Sequence, residues 1–230
     1  MTKFALITFM FAVASHAHAQ DAKTAPYPTM APVEQYRSAS QADEIALARS
    51  AAPASISDNA EILTLGVHGY ETAVKGKNGF VCYAARAWDQ DFDNAEFWNP
   101  KLRGPMCLNP VAVRSVLPYY LQRTQWVLSG VSKTEMVARI KVALTAKKIT
   151  APEPGAMSYM LSKDGYLGDS AGGHWHPHVM FYLPHTDPAV WGANLPASPV
   201  MSSSSDLMPL TLIYVPVHKW SDGTPDDGGH

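Results

Sequence analysis

The sequence predicts an α+β fold: an antiparallel sheet of about five to six strands with about three helices packed on one face. β-prone runs occupy the first and last thirds of the chain, and amphipathic helical runs lie between them, an order typical of α+β domains. Hydrophobic residues make up 47% of the 230 residues and charged residues 17%, so a packed core is feasible. The length suits one domain, which we place at residues 40–218.

The charge balance argues against two classes of partner. The chain has 18 Lys and Arg residues against 20 Asp and Glu residues, a formal net charge of −2. A protein that binds nucleic acid carries a basic excess to neutralise phosphates, and a protein held on an anionic membrane surface carries basic clusters. We therefore expect neither kind of partner.

The N-terminus predicts export. Lys3 precedes an apolar run over 4–13, and small residues at Ala17 and Ala19 mark a cleavage site after Ala19, so residues 1–19 have all three parts of a signal peptide. About ten apolar residues cannot cross a bilayer core that needs about 20. We expect no membrane span after cleavage, a periplasmic or extracellular location, and an extended proline-containing leader over 20–39.

Cys82 and Cys107 are the only cysteines. Outside the reducing cytosol such a pair favours a structural disulfide, which stabilises the fold by about 3 to 4 kcal/mol in the chain-entropy model. The alternative is a redox or nucleophilic cysteine, which lacks the support of a C-x-x-C motif.

The first elements follow from cap and turn signals. A helix is expected from Ser40, a cap residue with acids in the turn that follows. Three β-prone runs come next, and Asn78-Gly79 between the second and third predicts a hairpin. The acidic stretch 88–109 is predicted to be a surface loop. The three strands are expected at 61–67, 70–75 and 80–87.

Two helices form the middle of the chain. Asn109-Pro110 starts the first, which Pro118 should kink or split and Gly130 should end. Ser132 with Glu135 forms a capping box that starts the second, which ends at Lys147-Lys148. Three further strands are expected at 156–161, 175–183 and 210–217, and residues 219–230 are expected to form a polar mobile tail.

The most informative strand contains three alternating histidines. Alternate residues of a strand share a face. One face would carry the three imidazoles followed by Met180 and Tyr182, and the other would be apolar and belong in the core. The histidines are His174, His176 and His178; the apolar residues are Trp175, Pro177, Val179, Phe181 and Leu183.

This histidine face suggests a metal site. Neighbouring histidines lie roughly 7 Å apart and the outer two roughly 13 Å apart, so two of them plus outside ligands could hold Zn, Cu or non-haem Fe. The alternative is a solvated or hydrogen-bonded face without a metal. The outside candidates are His68, His185, His218, Glu153, Asp164 and Asp169.

A serine motif stands just before the histidines. Residues 168–173 read G-D-S-A-G-G, which resembles the nucleophile segment of hormone-sensitive-lipase-type esterases, with Ser170 as the nucleophile. Asp206 and His218 would be the partners. Pro177 follows where a helix should continue, and the upstream oxyanion motif is absent, so a glycine-rich loop is the alternative.

The stretch after Trp88 places carboxylates at alternate positions. Oxygen ligands at this spacing favour Ca²⁺, but Asn94 stands where a calcium loop needs Gly, and Pro100 where it needs the closing Glu. A solvated acidic loop is the alternative. The acids are Asp89, Asp91, Asp93 and Glu96.

Several segments together resemble a group of exported bacterial proteins of unknown function: Gly155–Met160, His174–His178 and Trp220–Gly223, with Phe97–Pro100 and Cys107. The resemblance covers most of the expected domain and implies export and a single domain. It implies no activity, so it assigns no catalytic residue.

We therefore predict an exported protein that binds a metal or a small ligand through the histidine face. A hydrolase, metal-dependent at the same histidines or serine-type at Ser170, is the first alternative. A protein without a small-molecule site, whose loops contact an envelope protein partner, is the second.

Overall fold

The computed structural model describes residues 26–169 and 175–227. The expected signal peptide 1–19 and the beginning of the leader lie outside these residues. The α+β class is confirmed. Within the described residues the chain forms one mixed sheet of eight strands and five α-helices.

Eight strands make up the sheet, two or three more than expected. Their spatial order is β2-β1-β3-β4-β5-β6-β8-β7, and neighbours are antiparallel except β1 and β3, which are parallel. The purely antiparallel sheet was therefore a wrong prediction. The strands are β1 Glu61–Leu65, β2 Tyr70–Val74, β3 Val81–Ala85, β4 Gly104–Leu108, β5 Met157–Met160, β6 His178–Leu183, β7 Met201–Ser205 and β8 Leu210–Pro216.

The hairpin predicted at Asn78-Gly79 was also wrong. β2 turns back on β1 instead, through a turn in which the Gly66 amide donates to the Gly69 carbonyl at 2.8 Å. The chain then crosses the start of β1, where a Cβ on Gly76 would lie 2.3 Å from the Glu61 nitrogen. This crossing places β3 on the far side of β1, parallel to it.

Two strands formed where loops were expected. β4 lies inside the stretch 88–109, and its sequence Gly-Pro-Met-Cys-Leu has a weak strand signal at its start. β7 is almost all serine. The rest of the 88–103 stretch is more buried than a surface loop, because Trp88 and Phe97 are nearly inaccessible to solvent.

Three of the five helices in the described residues begin where their caps predicted, whereas about three helices were expected in all and the short helix Ala54–Ser57 was not among them. Ser40, Asn109 and Ser132 each accept a hydrogen bond from the backbone amide three residues later. The middle helix splits just before Pro118, as predicted. The helices are α1 Gln41–Arg49, α2 Ala54–Ser57, α3 Pro110–Ser115, α4 Leu117–Leu128 and α5 Lys133–Thr145.

Helices cover both faces of the sheet, not one as expected. α1 packs in a cluster with Ile62, Cys82 and Cys107, whereas α3 and α4 pack in a cluster with Tyr83 and Met106. Successive strand residues point to opposite faces, so the two clusters lie on opposite sides. Two layers are required because all five residues of β3 and all five of β4 are buried.

The predicted disulfide is confirmed. Cys82 and Cys107 are bonded and stand directly opposite each other on β3 and β4, under α1. In the part of the chain that the structure describes, no helix is both long and apolar enough to cross a membrane.

The end of the chain packs against the sheet as far as it is described. The Trp220 side chain is 8% exposed, and the Ser221 amide donates to the Leu161 carbonyl at 2.8 Å. The Val217 amide donates to the Pro177 carbonyl at 2.8 Å. These contacts bring residues 217–227 beside the histidines, although a polar mobile tail was expected from residue 219.

Candidate functional site

His176 forms a carboxylate–imidazole pair with Asp226. Its Nδ1 lies 2.7 Å from Asp226 Oδ2, so the carboxylate accepts the Nδ1 proton. The Asp226 side chain is only 10% exposed, whereas that of His176 is 59% exposed. The Asp226 backbone is itself held, since its amide donates to the His218 carbonyl at 2.9 Å. The ring orientation is therefore fixed, and Nε2 has no partner among residues 26–169 and 175–227.

His178 has a different environment. Its Nδ1 donates to the His176 carbonyl at 2.8 Å, and its ring makes edge contacts with Trp175 and Tyr214. Burial among these rings lowers the pKa of His178, because the charged imidazolium loses water there. Burial thus favours the neutral form of His178, in which Nδ1 carries the proton donated to the His176 carbonyl.

The predicted division of faces was wrong. β6 begins only at His178, so the alternation does not reach back to His176. Pro177 lacks the N–H that a paired strand residue needs, which explains the late start. Within β6 the buried residues are Met180 and Tyr182, on the His178 face, where they join the core under α3 and α4. The opposite face is half-exposed, and Phe181 there stacks on Trp191.

Trp175 anchors the backbone before the strand. Its Nε1 donates to the Ser162 carbonyl at 2.7 Å, and the side chain is 8% exposed. The indole lies against Gly165, where a Cβ would come within 2.5 Å of Trp175 Cζ2. A larger residue at position 165 would therefore displace Trp175. His176 follows Trp175 directly, so its position also depends on the glycine.

Asp169 and Glu96 form a second polar cluster, at the residue that precedes the undescribed segment 170–174. Asp169 accepts from Tyr27 Oη at 2.5 Å and from Tyr166 Oη, and its amide donates to Glu96 Oε2 at 2.7 Å. The two phenol hydrogen bonds hold the pKa of Asp169 below its usual range. The same bond to Asp169 raises the pKa of Tyr27 to about 12. The Asp169 carboxylate is thus engaged by two phenols and lies 3.5 Å from Lys101 Nζ.

The acidic stretch does not form one calcium loop in the described residues. Asp91 and Asp93 are exposed, while Glu96 is 5% exposed and accepts from Asn99 Nδ2 at 2.8 Å. Asp89 accepts from the Arg86 amide at the end of β3. The alternating spacing sends these carboxylates to separate places because the segment turns between them.

The outside residues proposed as metal ligands are scattered. His68 lies in the turn between β1 and β2, four strands from β6 in the sheet, and His185 lies beyond the far end of β6. The His218 carbonyl accepts from the Asp226 amide. Asp164 precedes the Gly165 that lies against Trp175, and its amide donates to Ser162 Oγ. Glu153 is paired with Arg114 at 2.8 Å. No group of three potential ligand side chains occurs among residues 26–169 and 175–227. His174 lies outside the described residues.

The serine motif is only partly covered, because Ser170 lies outside the described residues. Its two predicted partners do not meet. Asp206 follows β7 and His218 follows β8, at opposite ends of a strand pair about 20 Å long. The observed histidine–carboxylate pair is His176 with Asp226, which sequence reasoning missed because it assigned Asp226 to a mobile tail. The tryptophan at position 220 in that otherwise polar segment could have indicated that the segment packs against the domain.

Comparison with family models, with curated proteins and with solved structures finds no match to this chain.

Proposed function

We propose that the protein is an exported binding protein that holds its ligand through His176. The observation that carries the proposal is the contact between His176 Nδ1 and Asp226 Oδ2 at 2.7 Å. A carboxylate on one ring nitrogen orients the imidazole and makes the other nitrogen a better donor to a ligand. His176 is exposed, so that nitrogen is accessible to a ligand from solution.

The ligand class that suits this arrangement is a borderline transition-metal ion. Zn²⁺, Cu²⁺ and Fe²⁺ all accept imidazole nitrogen. His176 would bind through Nε2, with Asp226 as its orienting carboxylate and water in remaining positions. A site with so few protein ligands would be open, which fits capture or transfer of an ion better than a closed structural site.

Calorimetric titration with Zn²⁺ and with Cu²⁺ tests the proposal. We expect His176→Ala to abolish binding and Asp226→Asn to weaken it by about 10- to 100-fold, the usual cost of losing an orienting carboxylate. His185→Ala is the matched control, because it removes an exposed histidine at the far end of β6. Binding equal in wild type and His176→Ala would overturn the proposal.

The same pair favours one other candidate, a hydrolase. An imidazole oriented through Nδ1 can take a proton through Nε2, the arrangement of a general base. A panel of ester substrates, assayed with wild type, His176→Ala and Ser170→Ala, separates the candidates. Turnover lost in both variants supports a serine hydrolase, turnover lost only in His176→Ala supports another base-dependent reaction, and no turnover by the wild type excludes the candidate.

Export and membership of a group of exported bacterial proteins belong to the same proposal. N-terminal sequencing of the protein recovered from its native cells tests export. A mature chain that begins at Gln20 supports it, and recovery of the intact N-terminus from the cytosol contradicts it.

A further inference from the structure

A groove runs between α4 and the end of α5, apart from the residues of the histidine site. Its volume is about 440 Å³, within the range of small-molecule sites. The walls come from Arg114 near the end of α3, from α4, from α5 and from the segment that follows α5. The other lining residues used below are Pro118, Tyr119, Trp126, Ala143, Lys148 and Ile149.

The lining of the groove is largely apolar. Trp126 and Tyr119 are half-buried, so each exposes part of a ring to the groove. Tyr119 is held in place because its hydroxyl donates to the Leu207 carbonyl at 3.2 Å. Pro118 and Ile149 complete an apolar lining that suits a planar ring.

The charges of the groove have one sign. Lys148 and Arg114 line it, and no acidic residue does. Arg114 is already engaged, with one guanidinium nitrogen 2.8 Å from Glu153. Lys148 takes part in none of the ion pairs in the described part of the chain, so it is the cation available to a ligand.

We propose that this groove binds a small planar aromatic acid, with its ring against Trp126 and Tyr119 and its carboxylate at Lys148. The volume of the groove suits a ligand of one or two fused rings. The charged residues of the lining are all cationic, which favours a ligand with an anionic group. This site shares no residue with the histidine site, and its occupancy does not depend on a ligand at His176.

Calorimetric titration with 2-naphthoate and with its neutral analogue 2-naphthamide tests both parts of the proposal. We expect a Kd for 2-naphthoate near or below 1 mM, about what a compact ligand of this size attains. Lys148→Ala should weaken 2-naphthoate about fivefold, the scale of an exposed ion pair, and leave 2-naphthamide nearly unchanged. Lys141→Ala, which removes an exposed lysine of α5 that does not line the groove, is the matched control.

Ala143→Phe tests the location, because the added ring occupies the groove from α5. It should abolish binding of both ligands while circular dichroism shows a folded protein. Trp126→Ala is a second variant that should weaken both ligands equally, should Ala143→Phe fail to fold. Wild type that binds neither ligand, equal binding of the acid and the amide, or unchanged binding in both groove variants would each overturn the proposal.

Discussion

His176 and His178 lie two residues apart and use their Nδ1 atoms for different purposes. Nδ1 of His176 bonds to a carboxylate and leaves an exposed ring, whereas Nδ1 of His178 bonds to a backbone carbonyl and leaves a half-buried ring between Trp175 and Tyr214. The exposed ring, which lies outside the strand, is therefore the one on which our proposal rests, and His178 packs against aromatic rings.

The buried carboxyl group of Asp89 should make the stability of the protein depend on pH. Burial raises the pKa of Asp89 to about 6, and its Oδ1 is buried without a partner in the described part of the chain. The folded state then keeps a proton that the unfolded state releases near pH 4, so this group makes the protein less stable as pH rises from about 4 to about 6. We expect Asp89→Asn to remove about 3 kcal/mol of that fall in the free energy of unfolding by urea, measured across this range.

Asp93→Asn, at an exposed aspartate of the same segment, is the control and should keep the wild-type dependence of stability on pH. In wild type and in both variants, His178 changes stability with pH in the opposite direction to Asp89. Its lowered pKa means that stability is lost as pH falls below about 6.5, so the comparison between variants isolates Asp89. An Asp89→Asn protein with an unchanged slope would show that this carboxylate is ionised throughout.

Residues with a local signal were predictable, and residues held by distant contacts were not. Three helices are capped by residues that bond to an amide three positions later: Ser40, Asn109 and Ser132. A contact this local can be predicted from the sequence. Asp226 meets His176 across 50 positions of the chain. No local pattern records that pairing, which depends on how β8 and its extension lie beside Pro177.

At the scale of elements, a buried ion pair fastens α1 to the sheet. Glu44 Oε1 accepts from Arg86 at 2.7 Å and from the Leu65 amide at 3.0 Å, so one carboxylate joins α1 to β1 and to the end of β3. Both side chains are at most 3% exposed. Glu44→Ala would leave the Arg86 charge buried, and we expect a loss of about 3 kcal/mol in the free energy of unfolding by urea.

Glu71→Ala is the control for this pair, since it removes an exposed glutamate of β2 and should cost little. The double variant Glu44→Leu with Arg86→Met removes both charges. It should recover much of the loss, because the penalty comes from the unpaired charge. A Glu44→Ala protein as stable as Glu71→Ala would mean that water reaches Arg86.

Element type was easier to predict than element pairing. Six of the strands lie where β-prone runs predicted them, but the Asn78-Gly79 turn signal suggested the wrong partner for β2. A turn signal gives the position of a reversal and says nothing about which strand lies opposite. β4 and β7 were missed because Gly104-Pro105 and the serine run of 202–205 have low strand propensity, and their neighbours in the sheet stabilise them instead.

The whole molecule is organised around β3 and β4, which lie between the two helical layers. The sheet then extends to β7 on the side of the histidines. Helix packing on the strands beyond β4 is sparser in the described residues, with a small contact between α3 and β5 and side-chain packing of α3 and α4 on Met180 and Tyr182. The His176–Asp226 pair lies on this half of the sheet, and the His176 side chain there is 59% exposed.

The disulfide stabilises the central strands, and its removal should lower the stability of the whole protein. Cys82 and Cys107 close a loop of 25 residues that contains Trp88, Phe97 and the Glu96 that contacts Asp169. In the chain-entropy model such a loop contributes about 3 kcal/mol by restricting the unfolded chain. We expect the free energy of unfolding by urea to fall by that amount in the double variant Cys82→Ala with Cys107→Ala. Wild type treated with a reductant should show the same loss.

Because the disulfide acts on the unfolded chain, the His176–Asp226 pair should survive its removal. The metal binding that we propose should therefore be unchanged in the folded double variant. A variant as stable as wild type would show that packing under α1 alone holds β3 to β4.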